Sequence, residues 1–203
     1  MCRSRFALAF ALALASSPAT AAFAAAPQPS GTIDCSVTMS RPEFALQFKS
    51  PYLRTEPAPH GIPVKTDMNG PCDSAGVVGG KAPITQVEVK LVGRFAAGTT
   101  CDVLTTTPAL DKIAFKIKWQ GLNPAGNVRT VAKSIVRAAT VAWDDAAEAL
   151  VFTTEALKGG FGGSTATVTL TLDPGSVVGD GGPCPSYSGL DYGSDGESSI
   201  TIP

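Results

Sequence analysis

Histidine occurs once in this chain, at His60 in "PAPHGIP", and no two cysteines share a C-x-x-C spacing. A structural zinc site draws its four ligands from closely spaced Cys and His pairs, so little here supports one. The same scarcity weakens a Ser-His-Asp hydrolase. His60 would have to serve it, and no serine stands in a G-x-S-x-G elbow; "GGSTA" around Ser164 lacks the final glycine and leads into an alternating segment. Rings free to stack on a glycan are few, with Tyr52, Tyr187 and Tyr192 the exposed-looking ones. Charge excess is missing as well. The chain carries 16 basic and 17 acidic residues, too even a balance to imply a nucleic-acid or membrane-surface partner.

What is present starts with a leader. Arg3 and Arg5 precede an apolar run over residues 6–15 and then the small-residue stretch "SSPATAAFAAAP". That order is the pattern of a secretory signal peptide, and the run is too short for a permanent membrane helix. Ala22-Phe23-Ala24 supplies the cleavage site, with Ala19-Thr20-Ala21 as an alternative and an uncleaved N-terminal anchor as the competing reading. The expected organisation is a signal peptide over residues 1–24, a short N-terminal segment over 25–30, and one β domain over 31–203. Cleavage removes Cys2, Arg3 and Arg5, leaving 179 residues with 14 basic and 17 acidic side chains, a net charge near −3. No later segment is apolar enough to cross a membrane. Neither an internal repeat nor a linker divides the rest.

Four cysteines remain: Cys35, Cys72, Cys101 and Cys184. An even number in an exported chain reads as two disulfides. Of the three possible pairings, Cys35–Cys72 with Cys101–Cys184 is favoured.

The dominant hydrophobic period is two. "GTIDCSVTMS", "EFALQFK", "GIPVKTDMNG" and "TATVTLTLD" each alternate apolar with polar residues. The clearest segments are "ITQVEVKLVGRF", where Val87, Val89, Leu91 and Phe95 oppose Gln86, Glu88, Lys90 and Arg94, and "KIAFKIKWQ", where Ile113, Phe115, Ile117 and Trp119 oppose Lys112, Lys116 and Lys118. Such alternation places one face in a core and the other in water, the habit of antiparallel sheets. Stretches rich in Pro, Gly, Asn and Asp lie between: "KSPYLRTEPAPHGIP", "GPCDSAGVVGGKAP", "NPAG" and "LDPGSVVGDGGPCPSYSG". Short strands punctuated in this way predict an all-β fold, a single antiparallel β-sandwich. Residues 128–157 are ambiguous. Val131, Ile135, Ala138 and Ala142 keep a helical spacing, while Ala139, Val141 and Trp143 alternate. Strands are favoured, with "WDDAAEA" as a hairpin turn and Trp143 in the core.

Few side chains gather into a chemical motif. Asp191, Asp195 and Glu197 near the C-terminus partly match the start of an EF-hand loop. Gly193 replaces an oxygen ligand, however, and Ile202 stands where the bidentate glutamate belongs. A polar turn before a closing strand over 198–202 is the favoured reading, and no metal or cofactor is expected. Asp144, Asp145 and Glu148, or Glu43 and Glu56, could supply paired carboxylates to a glycosidase, but that chemistry needs a set spacing across a cleft. A basic face is the remaining candidate. If the two strongest strands are neighbours, Lys90 and Arg94 stand beside Lys112, Lys116 and Lys118, able to meet a polyanion such as an anionic cell-wall polymer. The competing reading is a solvated face whose edge lysines prevent sheets from pairing.

The order of features also resembles a known group. An early "IDCSV" strand is followed by "GPC", "GTTCDVL", the lysine-rich "KIKWQG", a "KGGFGGS" turn, a Thr-alternating strand and a late cysteine. This is similar to uncharacterised secreted, disulfide-linked β-domain proteins of high-GC Gram-positive bacteria. The resemblance implies export, disulfides and a β architecture, and brings no activity or catalytic residues with it. The resulting expectation is a secreted, monomeric, non-catalytic module that binds a cell-envelope polymer or a secreted protein. A carboxylate hydrolase and an inhibitor presenting "TEPAPHGIP" as a rigid loop are the alternatives.

Overall fold

The computed structural model describes residues 27–39, 46–50, 52–172, 189–190 and 198–203. The secondary structure is mostly antiparallel strand. In chain order the strands are β1 (Ser30–Gly31), β2 (Ile33–Met39), β3 (Leu46–Phe48), β4 (Pro63–Asp73), β5 (Val77–Val78), β6 (Gln86–Phe95) and β7 (Leu110–Leu122). They continue as β8 (Val128–Val136), β9 (Ala139–Asp144), β10 (Ala149–Thr154), β11 (Lys158–Gly159), β12 (Thr167–Thr171), β13 (Gly189–Leu190) and β14 (Ser198–Ile202). One short helix, α1 (Cys101–Leu104), interrupts them.

Alternation in sequence becomes alternation in burial. Val87, Val89, Leu91 and Phe95 on β6 are buried, as are Phe115, Ile117 and Trp119 on β7, while Gln86, Glu88, Lys90, Lys116 and Lys118 alternate with them on the outer face. Residues 128–157 form strands, so the helical spacing there carries no structure. Trp143 is half-buried at the rim of the core. Its hairpin turn is built by Asp144, whose Oδ1 accepts from the amides of Ala146 and Ala147 at 3.0 and 3.1 Å. Asn123 does the same for the β7–β8 turn, accepting from Ala125 and Asn127, and Gly126 takes the positive φ of 79°.

Two segments depart from expectation. "GPCDSAG" is not purely a turn, because β4 runs through Gly70 and Pro71 to Asp73. At Gly70 a β-carbon would collide with the Ser36 carbonyl on β2, so only glycine allows this close approach. "TTCDVL" holds the short helix, capped by Thr100, whose Oγ1 accepts from the Val103 amide at 3.2 Å.

The hydrogen-bonded order is β11-β8-β7-β6-β4-β2-β14-β12-β10-β9, with β3 beside β4 and β13 beside β3; β1 and β5 form a separate pair. Strand β4 is shared. Its first residues pair with β3 and its last with β2, while β6 lies along its other side. The ends of this run meet again. Only Arg137 and Ala138 separate β8, near one end of the order, from β9 at the other. The Phe115 ring on β7 lies 5.8 Å from Phe152 on β10, although five strands separate these two in the order. Strands from both ends of the order thus contribute side chains to one hydrophobic core.

Cys35 and Cys72 are cross-strand partners on β2 and β4 and form a disulfide. Cys101 is buried at the start of α1, and its amide donates to the Arg54 carbonyl at 3.1 Å. Cys184 lies outside the described residues. Among the described residues, no helix is long and apolar enough to cross a membrane.

Candidate functional site: the outer face of strands β4 to β8

The five basic residues singled out in the sequence lie on adjacent strands. The register of β6 with β7 places Lys90 opposite Lys116, Arg94 opposite Lys112 and Glu88 opposite Lys118. Beyond β7, Lys118 is opposite Lys133 on β8, and Lys116 is opposite Ile135, which in turn is opposite Lys158 on β11. On the other side, Lys90 is opposite Asp67 on β4, and Lys65 lies one rung further along the same face. Eight cations thus share this surface: Lys65, Lys90, Arg94, Lys112, Lys116, Lys118, Lys133 and Lys158.

Among the described residues, two acids form ion pairs with it, and Glu155 shares a groove with Lys133 and Lys158. Lys118 Nζ lies 2.7 Å from Glu88 Oε1, and Lys90 Nζ lies 3.3 Å from Asp67 Oδ1. Both pairs are solvent-exposed, so each contributes little to stability, about 0–1 kcal/mol. Among the described residues, the other six cations have no carboxylate within ion-pair distance. Gly61 leaves room for the Arg94 methylenes to lie across it; a β-carbon there would come within 2.7 Å of Cγ and Cδ.

Three of the cross-strand pairs are like-charged: Lys90 with Lys116, Arg94 with Lys112, and Lys118 with Lys133. Like charges directly opposite each other destabilise a sheet. Protection of a sheet edge does not account for the first two, because β6 and β7 are interior strands, flanked by β4 and β8. Only Lys133 and Lys158 sit near an edge.

Toward β2 the cationic face gives way to an open polar groove of about 780 Å³. Gly70, Pro71, Gln86 and Gln120 line it together with the charged Asp67, Glu88 and Lys90, and Thr38 and Asn69 complete the lining. On one rung Pro71, Gln86 and Gln120 stand in line, and on the next Asn69, Glu88 and Lys118.

The other sequence candidates are scattered. Asp144, Asp145 and Glu148 lie at the exposed β9–β10 turn, where Asp144 is engaged with backbone amides. Glu56 and His60 are exposed in the loop before β4, and Glu43 lies outside the described residues. That loop is fastened by buried Leu53, Ala58 and Ile62, and the Ala58 carbonyl accepts from the Gly98 amide at 2.9 Å. Tyr52 is 40% exposed; Tyr187, Tyr192, Asp191, Asp195 and Glu197 fall outside the described residues. Among the described residues, no three His, Cys, Asp or Glu side chains are grouped to hold a metal ion. Asp34 and Asp73 are cross-strand partners that sequence reading missed, and Asp73 Oδ1 accepts from the Ala75 amide at 3.0 Å.

Sequence reading also missed Lys65, Lys133, Lys158 and the amides of the groove. Lys133 needed the β7–β8 register, which shifts between Trp119 and Gln120. The groove needed the pairing of β2 with β4, which lie far apart in the chain. The chain matches no protein-family model, no curated protein and no solved structure.

Proposed function

We propose that this is an exported, non-catalytic binding module that holds an anionic polymer of the cell envelope against the outer face of β4 to β8. One observation carries the reading. Two like-charged pairs, Lys90 with Lys116 and Arg94 with Lys112, face each other on the interior strands β6 and β7, where they oppose sheet stability and protect no edge. Residues that work against the fold in this way are expected where a ligand supplies the compensating charge.

Export rests on the leader pattern and agrees with a disulfide between Cys35 and Cys72, since such bonds persist in oxidising compartments. We further propose that the sheet doubles over into a two-layer sandwich and that Cys101 pairs with Cys184. The Phe115–Phe152 contact between distant strands supports the first, and the even cysteine count supports the second. The resemblance to secreted β-domain proteins of high-GC Gram-positive bacteria belongs with this reading.

Co-sedimentation of the mature chain with cell-wall preparations, with and without calcium, tests it. Binding should be independent of calcium and should fall at least tenfold in the double charge reversal Lys116→Glu/Lys133→Glu. Undiminished binding by that variant would remove the cationic face from the mechanism, and no binding by the parent chain would end the reading.

A further inference from the structure

We propose that the groove between β2 and β7 is a sugar subsite, so that the polymer is an anionic glycan rather than a bare polyanion. The inference rests on the cationic-face reading and adds the chemical class of the ligand.

Consider what the groove offers. Gln86 and Gln120 are cross-strand partners at its centre, and Thr38 stands at the β2 side. A primary amide presents two N–H donors and a carbonyl acceptor, and the Thr38 hydroxyl, which donates to the Asn69 carbonyl at 3.4 Å, keeps its acceptor lone pairs. Glu88 only accepts, and Lys90 only donates. A sugar ring carries hydroxyls in adjacent pairs, each needing one donor and one acceptor, and this mixture meets both requirements. A purely anionic ligand would have no use for the amide carbonyls or the Glu88 carboxylate.

The lining fits the same ligand. Gly70 has no side chain and Pro71 a short one, and both line the groove, which leaves room for a ring. At about 780 Å³ the groove lies in the roughly 300–1,000 Å³ range of small-ligand sites. Among the described residues no aromatic side chain lines it, so a nucleic-acid base would find no stacking surface there.

The groove and the cationic field are continuous. Lys90 borders the groove and faces Lys116 across the strand pair, with Lys118 and Lys133 on the next rung. Strands lie about 4.8 Å apart and same-face residues about 6.8 Å apart along a strand, so cations begin within one sugar width of the amides. A chain seated by its hydroxyls in the groove would lay its charged groups along these lysines. The exposed Glu88–Lys118 and Asp67–Lys90 pairs can open to ligand at little expense.

The test uses isothermal titration of the mature chain at low salt with three probes: polygalacturonate, which carries both hydroxyls and carboxylates; polyphosphate, which carries charge without sugar; and dextran, which carries sugar without charge. The variants are Gln86→Ala/Gln120→Ala in the groove and Lys116→Ala/Lys133→Ala in the field. All four side chains face solvent, and near-ultraviolet circular dichroism confirms the fold. Loss of hydrogen bonds from two amides should weaken polygalacturonate binding about tenfold. Polyphosphate binding by the same variant should stay within twofold of the parent. The lysine variant should lose affinity for both polyanions. A glutamine variant that keeps parental affinity for polygalacturonate, or weakens equally for both polyanions, overturns the subsite. Parental binding of polyphosphate without polygalacturonate also overturns it while leaving the cationic face standing. Failure to bind either one ends both readings.

Discussion

Ser134 sits on the inward face of β8 and is fully buried. Its hydroxyl accepts from Trp119 Nε1 at 2.7 Å and donates to the Gly160 carbonyl, so one small side chain satisfies two groups that water cannot reach. Trp119 in turn packs its ring 4.7 Å from Phe161. Replacing Ser134 with alanine leaves the indole N–H without a partner, which should lower stability by about 1–3 kcal/mol. Urea unfolding followed by tryptophan fluorescence measures this, and an unchanged midpoint would show that the bond contributes nothing. At this scale the sequence was partly legible. Trp119 reads as inward from its alternation with Lys112, Lys116 and Lys118. Its partner does not, because Val131 bulges out of register between Thr130 and Ala132, and no local pattern announces that shift. Gly70 is a second such case. In sequence it ends a strand, yet it lies within β4, because what requires a glycine there is the backbone of a strand distant in the chain.

Two predictions belong to the strand pairs. The Cys35–Cys72 bond closes a loop of 37 residues between neighbouring strands. In the chain-entropy model that restricts the unfolded chain by about 4 kcal/mol, so the double substitution Cys35→Ala/Cys72→Ala should lower the melting temperature markedly. Differential scanning calorimetry of the variant, beside the parent with and without reductant, checks it. The second prediction runs the other way. Lys116 faces Lys90 across the strand pair and has no carboxylate nearby among the described residues. Lys116→Glu turns a repulsive pair into an attractive one and should raise stability by about 0.2–1 kcal/mol. Chemical denaturation of both proteins decides the sign. A loss of stability would mean that the lysines help to hold the sheet and call for no ligand to offset their charge. Strands were the level at which sequence spoke most clearly, because a period of two survives wherever one face is wet. Residues 128–157 were the hard case, since an alanine-rich run satisfies helical and alternating spacings at once. Strand pairing resolves it: β9 and β10 match residue for residue from Ala139 with Thr154 to Asp144 with Ala149.

Charge is nearly balanced over the whole molecule and strongly divided in space. Among the described residues, taking the eight cations of the β4–β8 face from 13 basic residues, and Asp67 and Glu88 from 11 acids, leaves 5 basic residues against 9 acidic ones. Composition could not reveal this division, because it depends on which strands become neighbours. The consequence can be measured without knowing the ligand. With a net charge near −3, an evenly mixed surface would pass through a cation exchanger at pH 7. A face of eight cations within a few strands can instead adsorb locally, because at 0.1 M salt charges interact over about 10 Å and the distant acids are screened. The mature chain should therefore be retained on a sulfonated resin at low salt and released well before 1 M, where the screening length is about 3 Å. Lys116→Glu/Lys133→Glu should flow through. Passage of the parent chain under the same conditions would mean that the acidic surfaces dominate its field, and the cationic face could not gather an anionic polymer from solution.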